Sequence, residues 1–151
     1  MHLLYTSSVL LHVLAACTWI GAMVFFAAVI VPLIRRPELA SVRTDLVRRL
    51  GKRFRWLGWG ALGVLLVTGA SNLALRGIGA TALTSAAFWQ SDFGRALAYK
   101  LVFVALALAS TALHDVFALR SRALSAWLGR ATLLFSVGAV AFAVWLVRGL
   151  P

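Results

Sequence analysis

Four long apolar stretches, each able to cross a bilayer as a helix, govern what this chain can fold into. A spanning helix needs about 20 mostly apolar residues. The stretches run over about 5–34, 54–75, 96–119 and 126–147. Together they use most of the 151 residues, so the sequence predicts one domain, 1–151, with no room for a separate soluble one. Spanning β-strands need only about 10 residues, and Leu/Ala-rich runs of this length exceed that. The expected fold is therefore all-α, an integral membrane four-helix transmembrane bundle. Composition agrees: 62% of residues are hydrophobic and 13% charged, against roughly half and a quarter in soluble domains.

The net charge of +11, from 15 Lys+Arg against 4 Asp+Glu, would suggest a nucleic-acid binder in a soluble protein. Its placement says otherwise. Eight basic residues fall in 35–55: Arg35, Arg36, Arg43, Arg48, Arg49, Lys52, Arg53 and Arg55. Arg120 and Arg122 lie between the third and fourth stretches and Arg130 near the start of the fourth, whereas 1–34 and 77–94 contain no Lys or Arg. The positive-inside rule then puts loops 35–55 and 120–130 in the cytoplasm and both termini outside. The charge becomes an orientation signal; no nucleic-acid partner is expected, and the lipid bilayer is the primary environment. Anionic lipid headgroups are a secondary partner for the Arg-rich loop.

Local signals refine this picture. Leu39–Leu50 alternates apolar and basic positions at helical spacing, so part of that loop should extend the second helix. Pro32 and Pro37 mark the end of the first. Asp92 reads as the N-cap of the third helix. Phe88, Trp89 and Phe93 suit an outer aromatic belt, and Trp56, Trp59, Trp127 and Trp145 read as interfacial anchors. Leu14-Ala15-Ala16-Cys17 resembles a lipoprotein cleavage box, but a basic n-region is missing, so the first helix is expected to remain uncleaved. A lone cysteine provides neither an internal disulfide nor a thiolate cluster.

Ionisable residues within spanning segments are site candidates by default. Here they are His12, Lys100, His114 and Asp115, with Arg76 and Arg130 nearer helix ends. At about 1.5 Å rise per residue, His12 lies roughly 10 Å below the outer surface and Lys100 roughly 6–8 Å below it. His114 lies roughly 9 Å from the opposite face. His12 and His114 are then too far apart along the membrane normal to share one metal, whereas His2, His12 and Lys100 share a side. Thr6, Ser7, Ser8, Ser71, Asn72, Arg76 and Tyr99 lie at similar depth, so an outer polar cluster is expected. His12, Ala16, Trp19, Met23 and Phe26 follow helical spacing, which suits a flat macrocycle beside His12 or equally plain helix packing. His12 could simply hydrogen-bond a neighbouring helix, Lys100 could snorkel to the interface, and His114-Asp115 could be an interfacial pair.

The first helix, His12-Val-Leu-Ala-Ala-Cys-Thr-Trp19-Ile-Gly21 with its apolar run to Pro32, resembles the opening helix of the copper-resistance D (CopD) family and of the related HemJ-like protoporphyrinogen oxidases. Thr68-Gly69, Lys100-Leu-Val, His114, Leu128-Gly129-Arg130 and Arg148-Gly149 fit the same pattern. The HemJ likeness implies haem b with functional residues at His12 and Lys100. Arg76 and Arg95 would then meet propionates, with Trp19 and Asn72 nearby. The CopD likeness implies copper handling across a bacterial-type inner membrane, with His2, His12 and Met23 as the entry ligands. The HemJ-type Asn-Glu pair near helix four is absent, and soft copper ligands are few. The leading expectation is a haem-b redox protein working with a quinone or membrane redox partner; the alternatives are copper handling and a non-catalytic subunit of a membrane complex.

Overall fold

The computed structural model describes residues 2–118 and 120–148, with the side chains of Arg122 and Arg148 excepted. Leu119 and Gly149 therefore lie outside the described residues. All regular structure among those described is helical. Four helical segments are long and apolar enough to cross a membrane: His2–Ile34, Arg43–Leu75, Asp92–Phe117 and Ala123–Val147. Their apolar side chains are widely exposed, Val67 at 67% and Leu134 at 70%, as suits helices solvated by lipid rather than water.

Each apolar stretch is recovered, and each helix begins ahead of it. Helix α1 (His2–Phe25) runs through a π-helical turn, Phe26–Ile30, into α2 (Val31–Ile34). Pro32 thus sits inside the final turn rather than ending the helix earlier. It has no N–H to give the carbonyl four residues back, and the turn before it widens: the Val31 N–H reaches Phe26 O. A short 3₁₀ turn at Pro37–Leu39 leads to α3 (Arg43–Leu75), which absorbs most of the basic segment as the Leu39–Leu50 spacing suggested. Arg43 has a specific structural task. Its guanidinium donates to Ile34 O at 2.6 Å and to Arg35 O and Arg36 O at 3.3 Å, satisfying carbonyls at the end of α2.

The 77–94 connection contains α4 (Ala80–Leu83) and α5 (Ala86–Gln90), which the sequence pattern did not announce. Gly77 starts it with φ +79°, a left-handed conformation that favours glycine. Trp89 donates its indole N–H to Leu83 O at 2.8 Å, and Phe88 packs edge-on against Trp89 and Phe93. The belt aromatics thus bind the connection to itself. Next comes α6 (Asp92–Phe117), whose N-cap is Ser91, not Asp92: the Ser91 Oγ accepts from the Gly94 N–H at 3.0 Å. Asp92 is the first helical residue. There its charge complements the helix dipole and pairs with Arg95. Helix α7 (Arg122–Arg148) is the last element among the described residues.

The chain resolves into two compact units, Met1–Gly77 and Ile78–Pro151. Each is built on an antiparallel pair of long helices. In the first, α1 meets α3 through Tyr5 with Arg76, His12 with Thr68, Trp19 with Gly58 and Phe26 with Phe54. In the second, α6 meets α7 through Tyr99 with Phe142, Phe103 with Gly138, Ser110 with Thr132 and His114 with Gly129. Between helices in lipid, attraction comes from close packing and interhelical hydrogen bonds, and small residues permit the approach. Both units seat a ring on a glycine to achieve it. A Cβ at Gly58 would stand 2.6 Å from the Trp19 ring, and one at Gly138 would stand 2.5 Å from the Phe103 ring. Gly138→Ala should therefore destabilise the second unit. Alanine gains about 1 kcal/mol of helix propensity, but overpacking costs about 1–3 kcal/mol. The check is the midpoint of thermal unfolding in detergent, expected to fall by a few degrees.

Candidate functional site

The strongest chemical feature lies on the seam between α1 and α3. His12 Nδ1 is 2.7 Å from Thr68 Oγ1, and Thr68 is buried at 6% exposure. The Thr68 hydroxyl donates its single proton to Val64 O, 2.6 Å away on its own helix. Thr68 Oγ1 can then accept from His12 in the tautomer that carries its proton on Nδ1. In this tautomer the lone pair of the neutral ring resides on Nε2. A histidine held through Nδ1–H is oriented to use Nε2 as a base or metal ligand. Gly69 borders the same ring: a Cβ there would make ordinary contact, 3.5 Å from His12 Cε1. The Thr68-Gly69 and His12 segments, 56 residues apart in sequence, thus meet at one imidazole.

The same seam carries polar groups on toward Arg76. One turn from His12 stands Ser8, and one turn from Thr68 stands Asn72. Their Oγ and Oδ1 atoms are buried, with no hydrogen-bond partner among the described residues. Thr6, Thr18, Thr68 and Ser71 in this unit donate to the carbonyl four residues back; Ser8 does not. A further turn along, Arg76 Nε donates to Tyr5 OH at 2.8 Å, and its guanidinium lies over the Tyr5 ring. Of the expected cluster, His12, Ser8, Ser71, Asn72 and Arg76 lie along this helix pair, whereas Tyr99 and Lys100 lie on α6 in the second unit. Tyr5 and Thr68 join the polar groups of the seam. Tyr5 was visible only as the start of an apolar run, and Thr68 only as part of a short motif.

The remaining candidates fall elsewhere. Trp19 is buried two turns from His12, with its ring against Gly58, so its immediate role is packing. Lys100 is half-buried on α6, in the second unit. Arg95 pairs with Asp92 and lines a small cleft with Tyr99 and Trp145. His114 Nδ1 lies 3.6 Å from Asp115 Oδ1, and both side chains are partly exposed. His2, His12 and Met23 all lie on the continuous helix α1. At about 1.5 Å per residue, His12 is roughly 15 Å along the axis from His2 and roughly 16 Å from Met23. They stand at three separate levels and cannot converge on one ion. Among the described residues no group of three or more His, Cys, Asp or Glu side chains is arranged to hold a metal.

The architecture defines a multi-helix protein whose long helices are suited to a membrane and whose first helix pair carries a half-buried, hydrogen-bonded histidine. No family model, curated protein or solved structure matches the chain.

Proposed function

We propose that this is a multi-pass inner-membrane protein of CopD/HemJ-like character that binds haem b toward the outer leaflet and serves a redox role. The observation that carries the reading is the His12 Nδ1–Thr68 Oγ1 contact at 2.7 Å, which in the Nδ1–H tautomer makes Nε2 the nitrogen that would meet the iron. The residues suit haem: a histidine whose other ring nitrogen is held by a hydrogen-bond acceptor is a common ligand of haem iron. On this reading His12 would hold the haem iron, and the HemJ likeness would make Lys100 a second ligand or a propionate partner. Arg76 and Arg95 supply guanidinium groups for carboxylates, and Asn72 contributes a polar contact. When bound, the haem would supply one-electron chemistry. The protein's part is to hold the ligand nitrogen, exclude water and neutralise carboxylate charge. A quinone or another membrane redox partner would exchange the electrons. Both termini would face outward, with loops 35–55 and 120–130 cytoplasmic.

The copper alternative is less well supported, because His2, His12 and Met23 would act as separate stations and not as one three-ligand site. The test of the leading reading is the absorption spectrum of the purified full-length protein. A Soret band that shifts on reduction is expected; a colourless preparation purified from haem-replete cells overturns the reading.

Thr68→Val offers a finer check. It removes the acceptor for Nδ1–H while preserving shape. Loss of such an outer-shell partner typically lowers affinity about 10–100-fold. Haem titration of the purified variant should show that weakening, with a Soret band still formed at saturation, and Thr68→Ser should restore wild-type affinity. Equal affinity in Thr68→Val and wild type would contradict the orienting role.

A further inference from the structure

The first half of α3 carries a feature that the haem reading does not use. Arg48, Lys52, Arg55 and Trp59 recur at helical spacing (i, i+4, i+7, i+11), so they form one stripe about 16 Å long. Trp56 flanks it. The stripe changes character along its length, with cations first and indoles last, where the apolar stretch of α3 begins. All five side chains are exposed, Trp56 at 75% and Trp59 at 41%. Arg55, Trp56 and Trp59 line a shallow cleft of about 170 Å³ whose lining surface is apolar. Asp45 is bound to Arg48 and Arg49, so it tempers the far end of the stripe. Lys52 and Arg55 are the cations of the stripe nearest the cleft, and Arg55 lines it.

The geometry points to a binding site for a phospholipid with an anionic headgroup, its phosphate on Arg55 and Lys52 and its upper acyl chain against Trp56 and Trp59. Charge complementarity selects the headgroup: a guanidinium and an ammonium one turn apart match a phosphodiester with a further negative charge, and guanidinium pairs bidentately with phosphate oxygens. The indoles select the depth, because amphipathic rings rest at the level where headgroups meet chains. A zwitterionic headgroup brings its own cation against Arg55 and gains less. The inference concerns a surface distinct from His12 and stands whether or not haem is bound.

The experiment uses the full-length protein in vesicles of phosphatidylcholine containing a small fraction of brominated lipid. The signal is the quenching of tryptophan fluorescence that is lost in Trp56→Phe/Trp59→Phe. Brominated phosphatidylglycerol should quench this component at a several-fold lower mole fraction than brominated phosphatidylcholine. The preference should fall on the order of fivefold for each cation removed in Lys52→Gln and Arg55→Gln. Arg35→Gln/Arg36→Gln removes two charges outside the stripe and should leave the preference intact. Equal quenching by the two lipids overturns the site. So does a preference that falls as much in Arg35→Gln/Arg36→Gln as in the stripe variants, since that result means diffuse attraction to the membrane surface.

Discussion

His12→Ala should yield a protein that purifies normally, keeps its helicity and has no Soret band. Alanine is the best helix former, and His12 is half-buried on the seam of a 24-residue helix, so α1 should survive the change. What disappears is the only imidazole on that helix that Thr68 holds by Nδ1. Loss of an axial ligand is expected to remove haem from the purified protein altogether, whereas Thr68→Val should only weaken its binding. That ordering distinguishes ligation from packing: if His12 merely braced α1 against α3, the two variants would affect stability alike and leave any colour unchanged. The measurement is absorbance per chain at matched helicity by circular dichroism. An unchanged spectrum in His12→Ala would refute the ligand assignment.

Gly94→Ala should produce the largest loss of stability of any alanine substitution at a glycine in the second unit. A Cβ there would collide with the Phe88 carbonyl oxygen and also come within 2.9 Å of Trp89 Cα. Both obstacles are backbone atoms of α5, joined to α6 through Ser91, so neither can rotate away. At Gly138 the obstacle is the side chain of Phe103, which has torsional freedom. The propensity gain of about 1 kcal/mol is therefore outweighed by a clash of about 3 kcal/mol or more. Relief would come only by detaching α5, with loss of the Ser91 cap and of the Trp89–Leu83 hydrogen bond. Gly94→Ala should unfold at a clearly lower temperature than Gly138→Ala in the same detergent. The reverse order would show that the α5–α6 junction yields more readily than its backbone contacts imply.

These two residues also mark what the sequence could and could not disclose. The four spans were legible because a run of some 20 apolar residues has few other folds open to it. Their starts were less so. Arg43–Arg53 is helical although charged, since helix continuation needs only backbone hydrogen bonds and compatible side chains. Ser91 and Asp92 are both good caps, and only the Ser91 hydroxyl's contact with the Gly94 N–H tells them apart. Gly94 itself looked like an ordinary loop glycine, because its constraint comes from a turn that sequence periodicity does not describe. His12 stood out as an ionisable group in an apolar run. Thr68 did not, because the register of α1 against α3 is a property of packing. Once Phe26 meets Phe54, the antiparallel register brings His12 to Thr68 and Ser8 to the level of Asn72. The arginines followed a similar division. Their distribution carried the orientation signal, while the capping role of Arg43 and the Tyr5 partnership of Arg76 emerged only from the folded helix pair.

Haem and copper per chain, measured in the same purified samples of wild type and His12→Ala, test whether His12 ligates a haem iron. Wild type should carry haem, His12→Ala little or none, and copper should stay far below one equivalent in both. Stoichiometric copper without haem in the wild type, or equal haem in the two proteins, would contradict that ligation.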